Sequence, residues 1–303
     1  MPSPLPETAV LDLMRRVWET GSERRDRTGV GTRALFGATL RFDLSDGSVP
    51  LLTTKRVFWK SAVKELIWFL NGETSIRPLV AQGVHIWTDW PLEKYAKATG
   101  EQLSRDEFEA RILADDTFAA KWGELGPVYG KQWRRWLGPD GREHDQIAEL
   151  LKGLRENPAS RRHIFTGWNV AELSGMALPP CHMTYQYFVE PRGNGPAKLS
   201  GILYQRSCDL GLGFPFNIFE AALLLRMLAQ QTGMVPGEII WMGADVHLYL
   251  NHAHLVETLL SREPRPFPKL DLAKAPDLFS YRLEDVTLTG YDPHPAIAAP
   301  VAV

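Results

Sequence analysis

Apolar residues recur at helical spacing between Thr8 and Thr20, with Val10, Leu11, Met14 and Val17 on one stripe. That spacing predicts an amphipathic helix. A polar, Gly-rich loop follows, Asp26-Arg27-Thr28-Gly29-Val30-Gly31-Thr32. Leu35 to Leu44 then reads as a strand, ended by an Asp46-Gly47 turn. Ser61 to Asn71 predicts a helix closed by Gly72. Val63, Leu66, Ile67 and Leu70 line one face, and Ala62, Trp68 and Phe69 line the other. A helix apolar on most sides is buried, so Glu65, among the second set, is expected to be a shielded carboxylate.

The stretch from Pro91 to Trp122 has a different character. It is charged and helix-prone, and Ser104 and Glu107 are spaced as a capping box. It predicts a peripheral helical insertion in which no chemistry is expected. Strand patterning is strongest in the C-terminal half, where Met183, Tyr185, Tyr187 and Val189 alternate with Thr184, Gln186 and Phe188. Leu199 to Arg206 alternates less cleanly, Asn217 to Thr232 is a long apolar helix, and Glu238 to Tyr249 returns to strand. Strands and helices mix without a regular βαβ rhythm. The expected fold is α+β: one domain over residues 1–303, a large mixed β-sheet flanked by helices, and a small helical insertion at 91–122.

The net charge of −2 over 303 residues gives no bulk attraction to nucleic acid or membrane. Any anion site must be built locally. Met1 to Glu7 is polar and Pro-rich, without the apolar core of a secretion signal. No apolar run reaches the roughly 18 residues that span a bilayer. A cytoplasmic location follows as the expectation, and there the two cysteines, Cys181 and Cys208, stay reduced. Their spacing carries no zinc signature, and no metal is expected.

Several residues could carry chemistry. Cys181 follows Pro179-Pro180 and precedes His182 at the mouth of a strand. It suits either a small core hydrophobe or a nucleophile, and a nucleophile needs cations nearby to lower a thiol pKa of about 8.5. Arg161-Arg162 after Ser160, Arg206-Ser207 after Gln205, and Arg27 in its Gly-rich loop are candidate phosphate donors. The Gly-rich loop lacks the lysine-serine ending of a P-loop. Asn217, three residues ahead of Glu220, fits a helix N-cap or, with its paired donor and acceptor, a pyrimidine edge. His247 and Tyr249 share one strand face. Glu65 and Asp209 are candidate proton carriers.

Ordered blocks of this sequence resemble the thymidylate synthase family across almost the whole chain. The densest are Arg27-Thr28-Gly29, Gly126-Pro127-Val128-Tyr129-Gly130-Lys131-Gln132-Trp133-Arg134, Met176-Ala177-Leu178 with Pro180-Cys181-His182, Leu203 to Asp209, Pro215-Phe216-Asn217, His247-Leu248-Tyr249 and the terminal Tyr291-Asp292-Pro293-His294-Pro295. The resemblance implies reductive methylation of deoxyuridylate (dUMP) by 5,10-methylenetetrahydrofolate, without metal, through covalent addition of Cys181 to C6 of the uracil ring. It implies that Arg27, Arg206 and Ser207 hold the phosphate and that Arg161 and Arg162 reach in from the other subunit of a homodimer. It gives Asn217 the uracil edge, His247 and Tyr249 the deoxyribose hydroxyl, and Asp209 a place in the dUMP site, the pterin contact and the catalytic set. Glu65, Tyr129 and His182 would manage protons in a water-linked network, and Arg206 would help keep Cys181 ionised. Lys55, Ile86, Trp87, Trp90, Leu178, Gly213, Phe216 and Ala302 would form the folate side. No DNA and no membrane are implied as partners.

The chain departs from the family pattern at Phe58, Pro179, Gly211 and Ala244, none of which supplies a group the chemistry requires. Two other readings compete. A dUMP hydroxymethylase of the same superfamily would add water in place of hydride, but Asn217, Trp87 and Leu178 favour uracil and a dry methylene. A binding-only regulator would have no use for Cys181, Glu65, Asp209 and Asn217 together.

Overall fold

The computed structural model describes residues 5–25 and 29–300. Two compact units divide the chain. The first runs to Val63 and includes Leu151–Ile164 and the described chain from Cys181 to Pro300; the second holds Lys64–Leu150 and Phe165–Pro180.

The first unit is built on a mixed sheet whose strands run in the order Ser22–Arg24, Thr32–Asp43, Val235–Tyr249, Gly195–Asp209, His182–Arg192. Gly195–Asp209 and Val235–Tyr249 run parallel, while Thr32–Asp43 pairs antiparallel with Val235–Tyr249 and His182–Arg192 antiparallel with Gly195–Asp209. Parallel neighbours need a crossover, and the helix Gly213–Thr232 supplies it. Its sequence is apolar on most sides, and Phe214, Ile218, Phe219, Leu223, Leu224 and Leu228 are all fully buried. Period-two alternation sends Tyr185, Tyr187, Leu199, Leu203, Ile239 and Trp241 to the same core. The opposite face of those strands exposes Phe188, Tyr204 and Met242.

The first helix spans Pro6–Thr20, opening two residues before the predicted start because Pro6 suits the first helical turn. Its stripe of Val10, Leu11, Met14 and Val17 is buried as the spacing requires. Glu7 is also fully buried. Its carboxylate accepts from the backbone N and Oγ1 of Thr53 at 2.8 and 2.6 Å, and from those of Thr54 at 2.9 and 2.5 Å. Four donors offset the cost of burying that charge and fix the segment leading to Lys55. The C-terminal segment binds the same loop. His294 N donates to Thr53 O at 2.7 Å, and Arg262 Nη1 bridges Thr54 O and Pro295 O at 2.7 and 2.8 Å.

The second unit is mostly helical. It takes the end of the helix Trp59–Leu70, then Arg77–Val80, Asp89–Thr99, Arg105–Ala114, Asp116–Trp122 and Tyr129–Arg134. The charged stretch from 91 to 122 is thus helical as its composition predicts. Ser104 caps Arg105–Ala114 through the reciprocal box with Glu107. Tyr95, Phe108, Phe118 and Trp122 knot its helices together, with ring centroids 5.1 to 5.8 Å apart.

Candidate active site

In the first unit, strand register gathers most of the candidate residues at one end of the sheet. The backbone N of Arg206 donates to the carbonyl of Cys181 at 2.9 Å, just beyond the point where His182 pairs with Gln205. On the other side of Gly195–Asp209, Ser207 faces Asp245 and Asp209 faces His247. One strand end therefore presents Arg206, Ser207 and Asp209 beside Cys181 and His247. Cys181 is partly exposed and Cys208 is buried, and neither is bonded in a disulfide. Burial pushes the Cys208 thiol well above its ordinary range, and the nearby carboxylates Asp209 and Asp245 push it the same way. The two cysteines of the sequence thus have opposite surroundings.

Asn217 lies one turn inside the helix Gly213–Thr232, so it is not the helix N-cap that its spacing to Glu220 suggests. Its Oδ1 accepts from Nε2 of Gln205 at 2.9 Å, and Oε1 of Gln205 accepts from Nε1 of Trp241 at 2.8 Å. An indole N–H only donates. Trp241 therefore dictates which way the Gln205 amide points, and Gln205 dictates the orientation of Asn217. The donor end of the Asn217 amide has no hydrogen-bond partner among the described residues. Gly243 permits this, since a Cβ there would lie 2.2 Å from the Trp241 ring. Sequence reasoning missed Gln205 and Trp241, because only strand register brings them together.

His247 is oriented in a similar way. Its Nδ1 meets Oδ1 of Asp245 at 3.0 Å, and the other Asp245 oxygen pairs with Arg24 at 2.5 Å. The hydrogen bond from His247 holds the Asp245 carboxyl below its usual range, against the effect of partial burial. Tyr249 packs edge-on against His247, with centroids 5.4 Å apart. His182 is buried with Nδ1 3.1 Å from the Tyr185 hydroxyl, and burial pushes its imidazole down to about 3. It is therefore neutral at physiological pH.

Oδ1 of Asp209 accepts from Gly211 N at 2.8 Å, which fixes the carboxylate at the turn into the helix that carries Gly213, Phe216 and Asn217. Lys55 is buried, and its Nζ donates to the Gly211 carbonyl. Burial pushes the ammonium down to about 8, with the charge of Asp209 opposing. Gly211 itself is closely enclosed. A Cβ there would meet His252 Nδ1 at 3.1 Å and Asp209 Oδ1 at 3.2 Å, so the missing bulk at this position is matched by its neighbours. Phe58, another departure, is 62% exposed.

Arg161 and Arg162 are exposed on the turn before Ile164–Thr166. The Arg161 carbonyl accepts from Nε2 of Gln186 at 3.5 Å, which sets this turn beside the open face of the sheet. Arg27 and Ala302 lie outside the described residues.

The second unit holds the remaining candidates. Glu65 is 7% exposed, as the all-round apolar helix predicts, and its Oε1 accepts from Nε1 of Trp87 at 2.6 Å. Trp87 packs against Trp68, Phe69, Tyr129 and Trp90, with centroids 5.3 to 6.3 Å apart. Ile86 is exposed beside them, Leu178 is half-buried, and Nε1 of Trp90 is buried without a partner among the described residues. No group of three or more His, Cys, Asp or Glu among the described residues could hold a metal ion, and none of their helices is long and apolar enough to cross a membrane.

A family model described as "Thymidylate synthase" matches residues 8–303. A thymidylate synthase of Rhizorhabdus wittichii is 67% identical over 309 residues, covering 98% of this chain and 99% of that protein. One of Sphingopyxis alaskensis is 61% identical over 308 residues, covering 98% of each chain. One of Rhizobium rhizogenes is 59% identical over 303 residues, covering 98% of this chain and 99% of that protein.

Proposed function

The chain belongs to the thymidylate synthase family, and from that premise we propose that it is a methyltransferase converting dUMP to thymidylate. Its co-substrate is 5,10-methylenetetrahydrofolate, which supplies the one-carbon unit and the hydride and leaves as dihydrofolate. The observation that best supports the chemistry is the strand end where Cys181, Arg206, Ser207, Asp209 and His247 converge, with Asn217 held by Gln205.

The sulfur of Cys181 adds to C6 of the uracil ring, which turns C5 into a nucleophile. Covalent addition divides a hard substitution into easier steps. Arg206 and Ser207, with Arg27 and the partner copy's Arg161 and Arg162, hold the phosphate, since guanidinium forks match its oxygens. The guanidinium of Arg206 also favours the thiolate. Asn217 offers its N–H donors to a ring carbonyl, and the second lone pair of Oδ1 can take the ring N–H. That pairing suits uracil and not cytosine. His247 and Tyr249 bind the sugar hydroxyl. To Glu65, Tyr129 and His182 we assign the proton transfers at the ring.

The residues assigned to folate suit a planar, polar heterocycle. Trp87 and Trp90 offer stacking surface, and the buried Trp90 N–H has no partner among the described residues. Asp209 offers a fixed carboxylate to an amino-substituted ring. Ile86, Leu178, Gly213 and Phe216 supply apolar contact, and Lys55 is assigned to the glutamate tail. Trp87 and Leu178 exclude water, which favours methyl over hydroxymethyl product.

We further propose a cytoplasmic homodimer. Phe188, Tyr204 and Met242 form an exposed apolar face on strands that otherwise pack a core. Such patches mark association surfaces, and two-fold pairing is the commonest way to cover one. Arg161 and Arg162 stand at its border.

Mass spectrometry of the product after incubation with dUMP and methylenetetrahydrofolate tests the reading. Thymidylate with stoichiometric dihydrofolate supports it. A hydroxymethyl product, or binding without turnover, contradicts it.

A further inference from the structure

The charged insertion reaches into the working part of the second unit through one buried carboxylate. Glu109 lies in the helix Arg105–Ala114, between the core residues Phe108 and Ile112. It is only 6% exposed. Its Oε1 accepts from the hydroxyl of Thr88 at 2.5 Å, and its Oε2 meets Nδ1 of His85 at 2.7 Å. His85 and Thr88 flank Ile86 and Trp87 on both sides, and Thr88 N donates back to His85 O at 3.1 Å, closing the turn. Trp87 in turn donates to Glu65 at 2.6 Å. A second tie runs parallel to the first, from Arg105 of the same helix to Asp89 at 3.1 Å.

A leucine at 109 would serve the helix as well and avoid the cost of burying a carboxylate. A carboxylate there does something a leucine cannot. It holds both ends of a four-residue turn and so limits how the indole between them can rotate. A donor fixed within about half an ångström is what a proton-carrying carboxylate requires.

We propose that Glu109 is a positioning residue, fixing the Trp87 indole against Glu65 from the insertion. The proposal rests on the reading of Glu65 and Trp87 as working groups, and its test separates the two. Three variants serve: Glu109→Leu removes both contacts, Thr88→Val removes one, and Glu109→Gln keeps both, accepting from Thr88 and donating to an unprotonated His85 Nδ1. Each is made with 5-fluorotryptophan, and the Trp87 fluorine resonance is assigned by its loss in Trp87→Phe.

Glu109→Leu should shift or broaden that resonance. It should lower turnover by roughly 10- to 100-fold, the scale of a small misplacement of a working group, and leave dUMP affinity unchanged. Thr88→Val should do the same to a smaller degree and guards against a Glu109→Leu protein that fails to fold. Glu109→Gln should resemble the parent in both readouts. A Trp87 resonance unmoved in folded Glu109→Leu or Thr88→Val overturns the proposal. A resonance that moves without loss of turnover upholds the anchor and counts against the roles given to Glu65 and Trp87.

Discussion

Gln205 donates its side-chain amide to Oδ1 of Asn217 at 2.9 Å, and its own orientation is fixed by the Trp241 indole 2.8 Å away. Asn217 therefore cannot turn its amide over without breaking a bond behind it. Gln205→Leu should free that amide and leave Asn217 able to present either end. The loss of one partner from a half-buried polar pair costs about 1–3 kcal/mol. The expected result is roughly a 10-fold or greater fall in kcat/KM for dUMP, with folding intact. Kinetics identical to the parent would show that Asn217 is not held in this way.

The two thiols should react differently. Cys181 is partly exposed, and Cys208 is sealed in with its pKa driven up by burial. Iodoacetamide at neutral pH should alkylate one thiol per chain, at Cys181, with matching loss of activity and protection by dUMP. Peptide mapping reads the site. Equal labelling of Cys208 in the folded protein would contradict the assignment.

Acid stability should carry the mark of His182. Its imidazole titrates at 6.5 when unfolded and is pushed down to about 3 by burial in the fold. Between those values the unfolded chain binds a proton that the folded chain refuses. Stability is therefore complete above 6.5 and declines as the pH falls toward 3, by up to about 1.4 kcal/mol per pH unit. His182→Gln, which can still bond Tyr185, should flatten that part of a urea-midpoint profile. An unchanged slope would assign the acid sensitivity elsewhere.

The sequence revealed the elements more readily than their alliances. The stripe of Val10, Leu11, Met14 and Val17 located its helix because a periodic pattern is local. Glu65 was legible as a shielded carboxylate for the same reason, its neighbours in sequence being its neighbours in space. Asn217 was ambiguous because cap residues and binding residues are the same types, and only the observed helix start at Gly213 separated them. Gln205, Trp241, Asp245 and Arg24 drew no notice, since each orients a residue brought near by strand register. Glu109 was hidden in another way. In a charged helix one carboxylate looks like any other, and its burial depends on how Thr88 and His85 come to meet it. The resemblance to a family supplied what residue spacing could not, namely the substrate and the roles.

A shared site would show itself in mixed subunits. Cys181→Ala and Arg161→Ala proteins should each be nearly inactive, and mixing them under conditions of subunit exchange should restore activity. In a hybrid, one site combines an intact Cys181 with the partner copy's intact Arg161. Absence of recovery after exchange, confirmed by mass, would place Arg161 outside the partner's site.

The central claim is that the Cys181 sulfur carries the reaction. Its most direct test is thymidylate formation by Cys181→Ala beside the parent protein, with dUMP and methylenetetrahydrofolate at saturation. The parent should form thymidylate and dihydrofolate together, and the variant should fold, bind dUMP and form neither. Thymidylate produced by Cys181→Ala at the parent's rate would contradict the account.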